Sequence, residues 1–565
     1  MQRLAWLRMI AAALSGFILV GAFPGYNVEA NVWLWLLPLL AALWLGELPK
    51  VEAQGRWKRW WQASYVFRLG WVAGVCFFMP NLSWLRHSSR VISGATGMEW
   101  MGWPVELMGW SAVTGMSVFL ALYFGAWAAF VAKVVRPREA VWRHGSIMEA
   151  SWESIRVAIL AGLAWVALEW VRGWLFTGFG WNGLGVALHR NKVLIQAADL
   201  VGVSGLSFTP IFCGVLLFLV GWRFVIQSQG GKRLRYHFDT LTAVLLLAAQ
   251  LIYGIQRLKP TSNETIPLRV ALVQQNVPQV DIFSRENLER HYQRYAELTQ
   301  MMVEPRGDET KGSFDLVVWP ESAVGLPWYH QHHAAYFDSL LQLSDYSLLV
   351  GCDDRPVAGS EHTGAAMMNK AYNGAQTYWK VHLVPFGEYL PLRWLLGPVL
   401  GGVLPGDFRP GEKLEPLPMQ NVPVQVVPLV CFEDTVGDLA RQFVRDEPQV
   451  LVNLTNDGWF LQSAEPEQHL NNSIFRAIEL RRPLCRATNT GVTCFIDERG
   501  SVTASLRDPD TGSTFIEGVL PRTIQVPKHP ERTLYARWGD WFAMLGAVIC
   551  LAVAWFTLRG RSTAR

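Results

Sequence analysis

Apolar stretches long enough to cross a lipid bilayer dominate the first half of the chain. A helix needs about 20 residues to cross roughly 30 Å of hydrocarbon. Eight such windows lie near residues 5–23, 30–46, 64–80, 108–132, 156–175, 195–222, 239–256 and 541–558. The composition agrees, because 51% of the residues are hydrophobic and only 17% are charged, which is unusual for a soluble protein. The sequence therefore predicts a membrane domain of seven helices over residues 1–256 and an eighth transmembrane helix at 541–558.

The stretch between the seventh and eighth windows is different in character. A polar linker with two prolines, residues 258–267, opens it, as expected where a helix stops and a new domain begins. Five apolar runs follow that are typical of strands, at residues 269–274, 314–319, 347–351, 422–430 and 449–453. Three helical patterns lie between them, at residues 285–302, 334–343 and 438–445. Alternating strands and helices predict a water-soluble α/β domain, which we place at residues 257–530.

The distribution of Lys and Arg predicts the orientation of the chain. Positive residues are retained on the cytoplasmic side of a bacterial membrane, and they are concentrated in alternate loops. The predicted inside segments contain Arg3 and Arg8; Lys50, Arg56, Lys58 and Arg59; Lys133, Arg136, Arg138 and Arg143; Arg223, Lys232, Arg233 and Arg235; and Arg559, Arg561 and Arg565. We expect an inner-membrane protein with both termini in the cytoplasm, including a tail at 559–565, and the large domain in the periplasm.

Several partner classes are disfavoured. The net charge is only +4, and no basic stripe with interleaved aromatic residues is present, so a nucleic-acid partner is not expected. The seven cysteines lack CxxC or Cys/His ligand spacing, which argues against a disulfide framework and a zinc site. The run from Tyr329 to His333 holds three histidines, but without a partner carboxylate pattern we interpret it as a solvated helix start. We expect no metal and no cofactor.

Cys431 is the first candidate for chemistry. It follows an apolar strand and precedes a predicted helix for which Asp434 or Thr435 would be the N-cap. Helix dipoles favour the thiolate, which is the nucleophilic form of cysteine. The competing interpretation is a buried structural cysteine, and Cys352, which follows another apolar strand, is a rival nucleophile.

A carboxylate and an amine occur at other predicted strand ends. Glu321 directly follows Pro320 and could act as a general base if burial raised its pKa, although a solvated loop glutamate fits the same tripeptide. Lys380 would end a hairpin whose turn is the Asn373-Gly374 pair. An ammonium group near a thiol lowers the thiol pKa and can stabilise an oxyanion.

The ordered set of Glu321, Lys380 and Cys431 resembles the catalytic residues of the nitrilase superfamily, with Glu388 matching its second, supporting glutamate. This resemblance covers residues 268–525 and implies an α-β-β-α sandwich. With seven preceding spans and one following, the whole chain resembles the apolipoprotein N-acyltransferase family. The most specific match is HLVPFGEYLP at 382–391; NLTNDGWF at 453–460 and RPLCRATNTGV at 482–492 support it.

The resemblance implies an acyltransferase of lipoprotein biosynthesis that works through a thioester. Cys431 would attack the sn-1 ester of phosphatidylethanolamine, with Glu321 as base and Lys380 supporting the oxyanion. The acyl group would then pass to the N-terminal amine of the diacylglyceryl-cysteine of an apolipoprotein. Glu388 and Glu433 would orient Lys380 and tune the site. We expect a monomer whose partners are the phospholipid donor and the diacylated acceptor.

Three aromatic residues are implied to bind substrate: Phe283, Phe432 and Trp459. The family pattern has a tryptophan at the position of Phe283 and a tyrosine at that of Phe432, so both positions keep an aromatic ring but lose a hydrogen-bonding group.

Two other functions fit parts of the sequence. A membrane-tethered nitrilase-type amidohydrolase would resolve the thioester with water, but it has no need for eight spans. A catalytically inactive module that binds lipoproteins has no need for a glutamate, a lysine and a cysteine together. The acyltransferase accounts for both features.

Overall fold

The structure is a computed structural model. It describes residues 2–46, 64–95, 103–229, 238–259, 264–282, 285–303, 314–324, 327–357, 360–370, 374–400 and 407–562. The chain divides into two compact units. The first contains residues 1–83, 110–259 and 540–565, and the second contains residues 84–109 and 260–539. Residues 84–109 cluster with the second unit, and the predicted membrane domain at 1–256 and soluble domain at 257–530 stay predictions.

The first unit is helical. Its α-helices are Gln2–Val20, Asn31–Leu34, Leu36–Trp44, Tyr65–Asn81, Trp103–Lys133, which starts in the second unit, Glu139–His144, Ile147–Arg172, Ala198–Leu206, Phe208–Gln229, Phe238–Leu258 and Trp541–Ser562. Among the described residues, six helices are long and apolar enough to cross a membrane, or up to seven if the bent pair Tyr65–Asn81 and Ser83–Gly94 forms one span.

Two predicted windows differ from the helices that the structure contains. The window at 30–46 corresponds to Asn31–Trp44, which is in the shorter class of 10–17 residues. The window at 195–222 is not one helix, because the chain breaks before Phe208 and Gly202 has a non-helical backbone with φ of 71°. The full-length helix there is Phe208–Gln229. The prediction of eight spans therefore stays a prediction.

Aromatic side chains fill the interior of the first unit. Trp165 lies at the centre, with ring centroids 4.8 Å from Phe124, 5.2 Å from Trp35 and 5.4 Å from Trp127. Aromatic pairs at these separations pack favourably beyond their simple burial. Buried charges are paired, as Arg223 and Asp239 are at 2.5 Å, because lipid cannot hydrate them.

Two six-stranded sheets form the centre of the second unit. Its strands are β1 Thr265–Gln274, β2 Leu316–Val324, β3 Ser347–Val357, β4 Ser360–Asn369, β5 Gln376–Trp379, β6 Leu417–Pro418, β7 Gln425–Val430, β8 Gln449–Thr455, β9 Leu484–Thr488, β10 Cys494–Ile496, β11 Val502–Ser505 and β12 Gly518–Pro527. The sheet orders are β12-β1-β2-β3-β4-β5 and β11-β10-β9-β8-β7-β6. The central strands pair in parallel, and β2 lies against β8 and β9 of the other sheet.

Helices cover both sheets, which confirms the predicted α-β-β-α sandwich. The helices of this unit are Arg86–Ala95, Gln279–Ile282, Arg285–Val303, Gln331–Leu343, Arg393–Leu400, Gly437–Gln442, Glu465–Leu480 and Leu534–Trp538. Parallel strands are buried on both faces and so are continuously apolar. This explains why the apolar runs in the sequence predicted these strands. The predicted hairpin before Lys380 is also present, as the antiparallel pair β4 and β5.

The segment 84–109 joins this unit through Trp84. Its indole ring packs edge-on against Phe460, with centroids 4.6 Å apart, and its Nε1 donates to Gln468 at 3.0 Å. The helix Arg86–Ala95 that follows contacts the turn Asp457–Phe460. A short amphipathic helix can pack on a soluble domain in this way. Hydropathy windows do not detect such packing, because they place a segment only from the hydropathy of its neighbours in sequence.

Candidate active site

An irregular part of β2 and the ends of β5 and β7 carry Glu321, Lys380 and Cys431, which form one group. Glu321 lies in β2, while Lys380 directly follows β5 and Cys431 directly follows β7. The Lys380 Nζ is 3.7 Å from Glu321 Oε1, and the charges of Glu321 and Lys380 both act on the Cys431 thiol. The three side chains that the sequence singled out therefore form one contiguous cluster.

Glu321 does not close its strand as predicted but lies within an irregularity. The pairing of β2 with β3 shifts register between Trp319 and Val324, and Ser322 has a positive φ of 51°. A bulge of this kind turns a side chain out of the regular alternation of a strand. It directs Glu321 toward the neighbouring strand ends.

Cys431 has an unusual backbone conformation. Its φ is +53°, in the left-handed region that costs a residue with a Cβ roughly 1–3 kcal/mol unless the surroundings enforce it. The Asn453 side chain helps to enforce it, donating to the Cys431 carbonyl at 3.1 Å. Cys431 also starts a 3-10 turn that ends at Thr435, and the α-helix begins only at Gly437. The expected N-cap at Asp434 or Thr435 was therefore wrong.

Lys380 is fully buried and held by Glu388. Its Nζ donates to Glu388 Oε1 at 2.5 Å, and the other oxygen of Glu388 accepts from the Val384 amide at 2.7 Å. Burial lowers the pKa of Lys380, but the charges of Glu388, Cys431 and Glu321 outweigh it and raise the pKa above its ordinary value. The lysine is therefore a fixed positive charge beside the thiol.

The acid and base properties of the other two residues are complementary. Burial raises the pKa of Glu321 to about 7, although Lys380 opposes this. Burial and the charge of Glu321 raise the pKa of the Cys431 thiol well above its usual value. The thiol is therefore protonated at rest and needs a base, and a carboxylate with a pKa near neutrality suits both acceptance and return of a proton.

Glu433 contacts the backbone around Lys380 and not its amine. One carboxylate oxygen accepts from the Tyr378 hydroxyl at 2.8 Å and from the amides of Val381 and His382 at 2.8 and 3.0 Å. The other oxygen accepts from the Val430 amide at 2.8 Å. Glu433 thus ties the segment after β5 to the end of β7, which fixes Lys380 relative to Cys431.

The predicted substrate-binding residues are found in different places. The Phe432 ring is stacked on His382 with centroids 5.8 Å apart. Trp459 is partly exposed in the turn Asp457–Phe460. Phe283 is outside the residues that the structure describes.

Cys352, the rival nucleophile, has an inert environment. It is inside β3 and pairs there with Gly364 of β4 and Val324 of β2. Only 3% of it is exposed, and burial raises its pKa well above the ordinary value. A reactive cysteine needs access and a stabilised thiolate, so the geometry favours Cys431, which is partly exposed.

Next to the turn that starts at Cys431 lies a buried charged cluster that we did not predict. His469 Nε2 is 2.9 Å from Asp434, and its Nδ1 is 3.0 Å from Asp457. Arg486 reaches the same two carboxylates at 3.0 and 3.1 Å and the Asn453 side chain at 2.7 Å. Burial and Arg486 lower the pKa of His469, but the two carboxylates raise it to about 10. The cluster clamps the turn that carries Cys431.

Three members of this region have the composition of a metal site. The ligand atoms of Asp457, Glu465 and His469 lie within 4.8 Å of one another. However, both ring nitrogens of His469 already face carboxylates, and Arg486 supplies a positive charge to them. We interpret the group as an ion-pair network. The only signal in the sequence was that Asn453 and Asp457 lie in the NLTNDGWF motif and Arg486 in the RPLCRATNTGV motif; His469, Glu465 and Asp434 lie in neither.

Two family models match separate parts of the chain. Residues 15–216 match the apolipoprotein N-acyltransferase N-terminal domain, and residues 269–527 match the carbon-nitrogen hydrolase family. A solved CN-hydrolase superfamily protein from Xanthomonas campestris is 15% identical, covering 46% of this chain and 91% of that one, with a TM-score of 0.34.

Full-length relatives identify the family. An apolipoprotein N-acyltransferase from Geobacter metallireducens is 30% identical over 561 residues, which cover 96% of this chain and 95% of that protein. One from Methylococcus capsulatus is 32% identical over 550 residues, covering 95% and 93%. The chain is thus a multi-pass membrane acyltransferase that belongs to the apolipoprotein N-acyltransferase family.

Proposed function

We propose that this chain transfers a fatty acyl group from the sn-1 position of phosphatidylethanolamine to the N-terminal amine of the diacylglyceryl-cysteine of apolipoproteins, through a thioester on Cys431. The observation that carries the proposal is the grouping of a partly exposed thiol, a buried carboxylate of pKa about 7 and a buried lysine that act on one another electrostatically. A thioester preserves the activation of the acyl group without ATP or metal.

The first half-reaction forms the acyl-enzyme. Glu321 takes the proton of the Cys431 thiol, and the sulfur attacks the ester carbonyl to form the C–S bond. Lys380 stabilises the negative charge on the carbonyl oxygen in the tetrahedral intermediate. The C–O bond then breaks, Glu321 returns its proton to the leaving oxygen, and a lysophospholipid departs.

The second half-reaction consumes the thioester. The acceptor amine attacks the same carbonyl to form the C–N bond while Glu321 accepts a proton from the nitrogen. The C–S bond breaks, and the proton on Glu321 restores the Cys431 thiol. The products are a triacylated lipoprotein and the free enzyme.

The membrane unit supports a lipid-linked donor and acceptor over small soluble amides. Both proposed substrates are confined to the bilayer, as the apolar helices are, so neither has to leave it. The charge distribution along the sequence favours a periplasmic catalytic unit with cytoplasmic termini, and we propose that the enzyme acts as a monomer. No observation favours the amidohydrolase alternative.

Intact mass spectrometry after incubation with phosphatidylethanolamine tests the proposal. We expect an acyl-sized adduct on the native chain that hydroxylamine removes, because thioesters are labile to it. The adduct should persist in Cys352→Ala and be absent from Cys431→Ala. Adding a diacylglyceryl-cysteine peptide should discharge it faster than water alone.

Two results would overturn the proposal. One is the absence of an adduct on the native chain under conditions where lipid is bound, and the other is an adduct that survives Cys431→Ala. Discharge by water at the same rate as by the peptide would favour the amidohydrolase instead.

A further inference from the structure

The Cys431 sulfur must carry negative charge at two stages of the proposed reaction, on attack and again as a leaving group. Some of the groups around the sulfur disfavour this negative charge and others favour it. Glu321 and Glu388 are close and acidic, and both raise the thiol pKa, whereas Lys380 lowers it. A further donor to the sulfur would therefore favour both half-reactions.

Thr455 occupies the corresponding position on the neighbouring strand. β7 and β8 pair in parallel with Val430 opposite Leu454, so Cys431 and Thr455 are the next residues along the two strands. The carbonyl of Cys431 is already held by Asn453 of β8 at 3.1 Å, which fixes the distance between the two strand ends.

The Thr455 hydroxyl is buried and unsatisfied. Thr455 is 0% exposed, and its hydroxyl oxygen has no nitrogen or oxygen partner among the described residues. Two nearby threonines are different, because the hydroxyls of Thr488 and Thr493 donate to Gln274 Oε1 at 2.8 and 2.6 Å. Buried polar groups are normally paired, and an exception calls for a functional explanation.

We propose that Thr455 is a further catalytic residue whose hydroxyl donates a hydrogen bond to the Cys431 sulfur when that sulfur is ionised. Thr455 keeps its own proton throughout, because Glu321 carries the proton that leaves the thiol. This inference rests on the proposed function. Burial is the largest influence on the thiol and raises its pKa, but Thr455 is among the groups that lower it.

The alkylation of Cys431 by iodoacetamide as a function of pH tests this role. The full-length protein in detergent is labelled, and the Cys431 peptide is quantified by mass spectrometry. Thr455→Val keeps the shape and removes the oxygen, and Thr455→Ser restores it. Because hydrogen bonds to charged groups are the stronger ones, we expect Thr455→Val to raise the midpoint by about one pH unit and to slow thioester formation about tenfold. Thr455→Ser should keep the native midpoint.

Thr488→Val is the matched control, since it removes a buried hydroxyl from the adjacent strand without touching the sulfur. Its midpoint should equal that of the native chain. If Thr455→Val does not fold, Thr455→Ala compared with Thr455→Ser measures the same difference. An unchanged midpoint in folded Thr455→Val or Thr455→Ala, or an equal shift in Thr488→Val, would overturn this inference. The proposed function would fail separately, through the absence of a thioester on the native chain.

Discussion

Burial in the same part of the structure raises the pKa values of both Glu321 and Cys431. Both side chains share the space around Lys380, so the desolvation that brings the carboxylate pKa to about 7 also holds the thiol protonated. The two pKa values move in the same direction, which keeps the proton on the sulfur until a substrate arrives. Lys380 stays charged because three acidic groups surround it. At rest the proton is therefore on the Cys431 thiol, and Glu321, the proposed base, lies near it.

This arrangement predicts an acid limb in the pH profile of thioester formation. The carboxylate form of Glu321 is the proposed base, so the rate should rise with pH through an apparent pKa of about 7. Glu321→Gln should lose this limb and slow acylation by about 10²–10⁴-fold, the usual contribution of a general base. Single-turnover acylation at several pH values measures both effects.

Asp353→Asn is the control for that assignment. Burial raises the pKa of Asp353 to about 7 as well, so it is the rival source of such a limb. The limb should survive in Asp353→Asn. Its disappearance there, together with its retention in Glu321→Gln, would show that Glu321 is not the base.

At the level of elements, the turn Cys431–Thr435 is held from two sides. Glu433 binds the segment after β5, and Asp434 binds the helix Glu465–Leu480 through His469 and Ser473. Two consecutive carboxylates that face different elements leave the turn little freedom. This explains how Cys431 keeps a left-handed backbone at a position that carries a side chain.

The helix contact predicts a pH-dependent stability. The pKa of His469 is about 10 in the folded chain against an ordinary 6.5. The stabilisation is therefore complete below pH 6.5 and is lost as the pH rises toward 10, by up to about 1.4 kcal/mol per pH unit. The thermal unfolding temperature of the detergent-solubilised protein should decrease as the pH is raised from 6.5 to 8. Ordinary thiols do not ionise in this range, so they do not contribute to the decrease. His469→Gln should have a lower midpoint and a flatter profile, and an unchanged slope would contradict the assignment.

Sequence patterns predicted elements well and their irregularities poorly. β2, β7 and β8 were found because buried parallel strands are continuous apolar runs. The shift of register at Glu321 and the positive φ of Cys431 depend on contacts with other strands, so no local pattern encodes them. The same is true of the cluster around His469, whose members come from separate segments. Hydropathy windows failed at Gly202 for a related reason, because an average over 20 residues does not register a single break in a helix.

For the whole molecule, the number of crossings determines the side of the membrane on which the catalytic unit lies. The catalytic unit lies on the far side from the N-terminus only if an odd number of segments crosses before it. The helix Asn31–Trp44 is in the shorter class of apolar helices, and when the bent pair Tyr65–Asn81 and Ser83–Gly94 counts as one span, the crossing of Asn31–Trp44 decides the parity. The positive residues that follow Asn31–Trp44 favour a crossing by this helix, because they are expected to remain in the cytoplasm. They are Lys50, Arg56, Lys58 and Arg59.

Reporter fusions to truncated chains test that parity. Alkaline phosphatase needs disulfides and is active only in the oxidising periplasm, whereas green fluorescent protein reports the cytoplasm. We expect phosphatase activity in fusions after Gly25 and after Lys259, and fluorescence after Lys50 and after Arg565. The Gly25 fusion is the control, since only Gln2–Val20 precedes it. Phosphatase activity after Lys50 would mean that Asn31–Trp44 does not cross. If the Lys259 fusion were then fluorescent, the catalytic unit would be cytoplasmic, and the proposed acceptor, which is a lipoprotein exposed on the outer face, would be out of its reach.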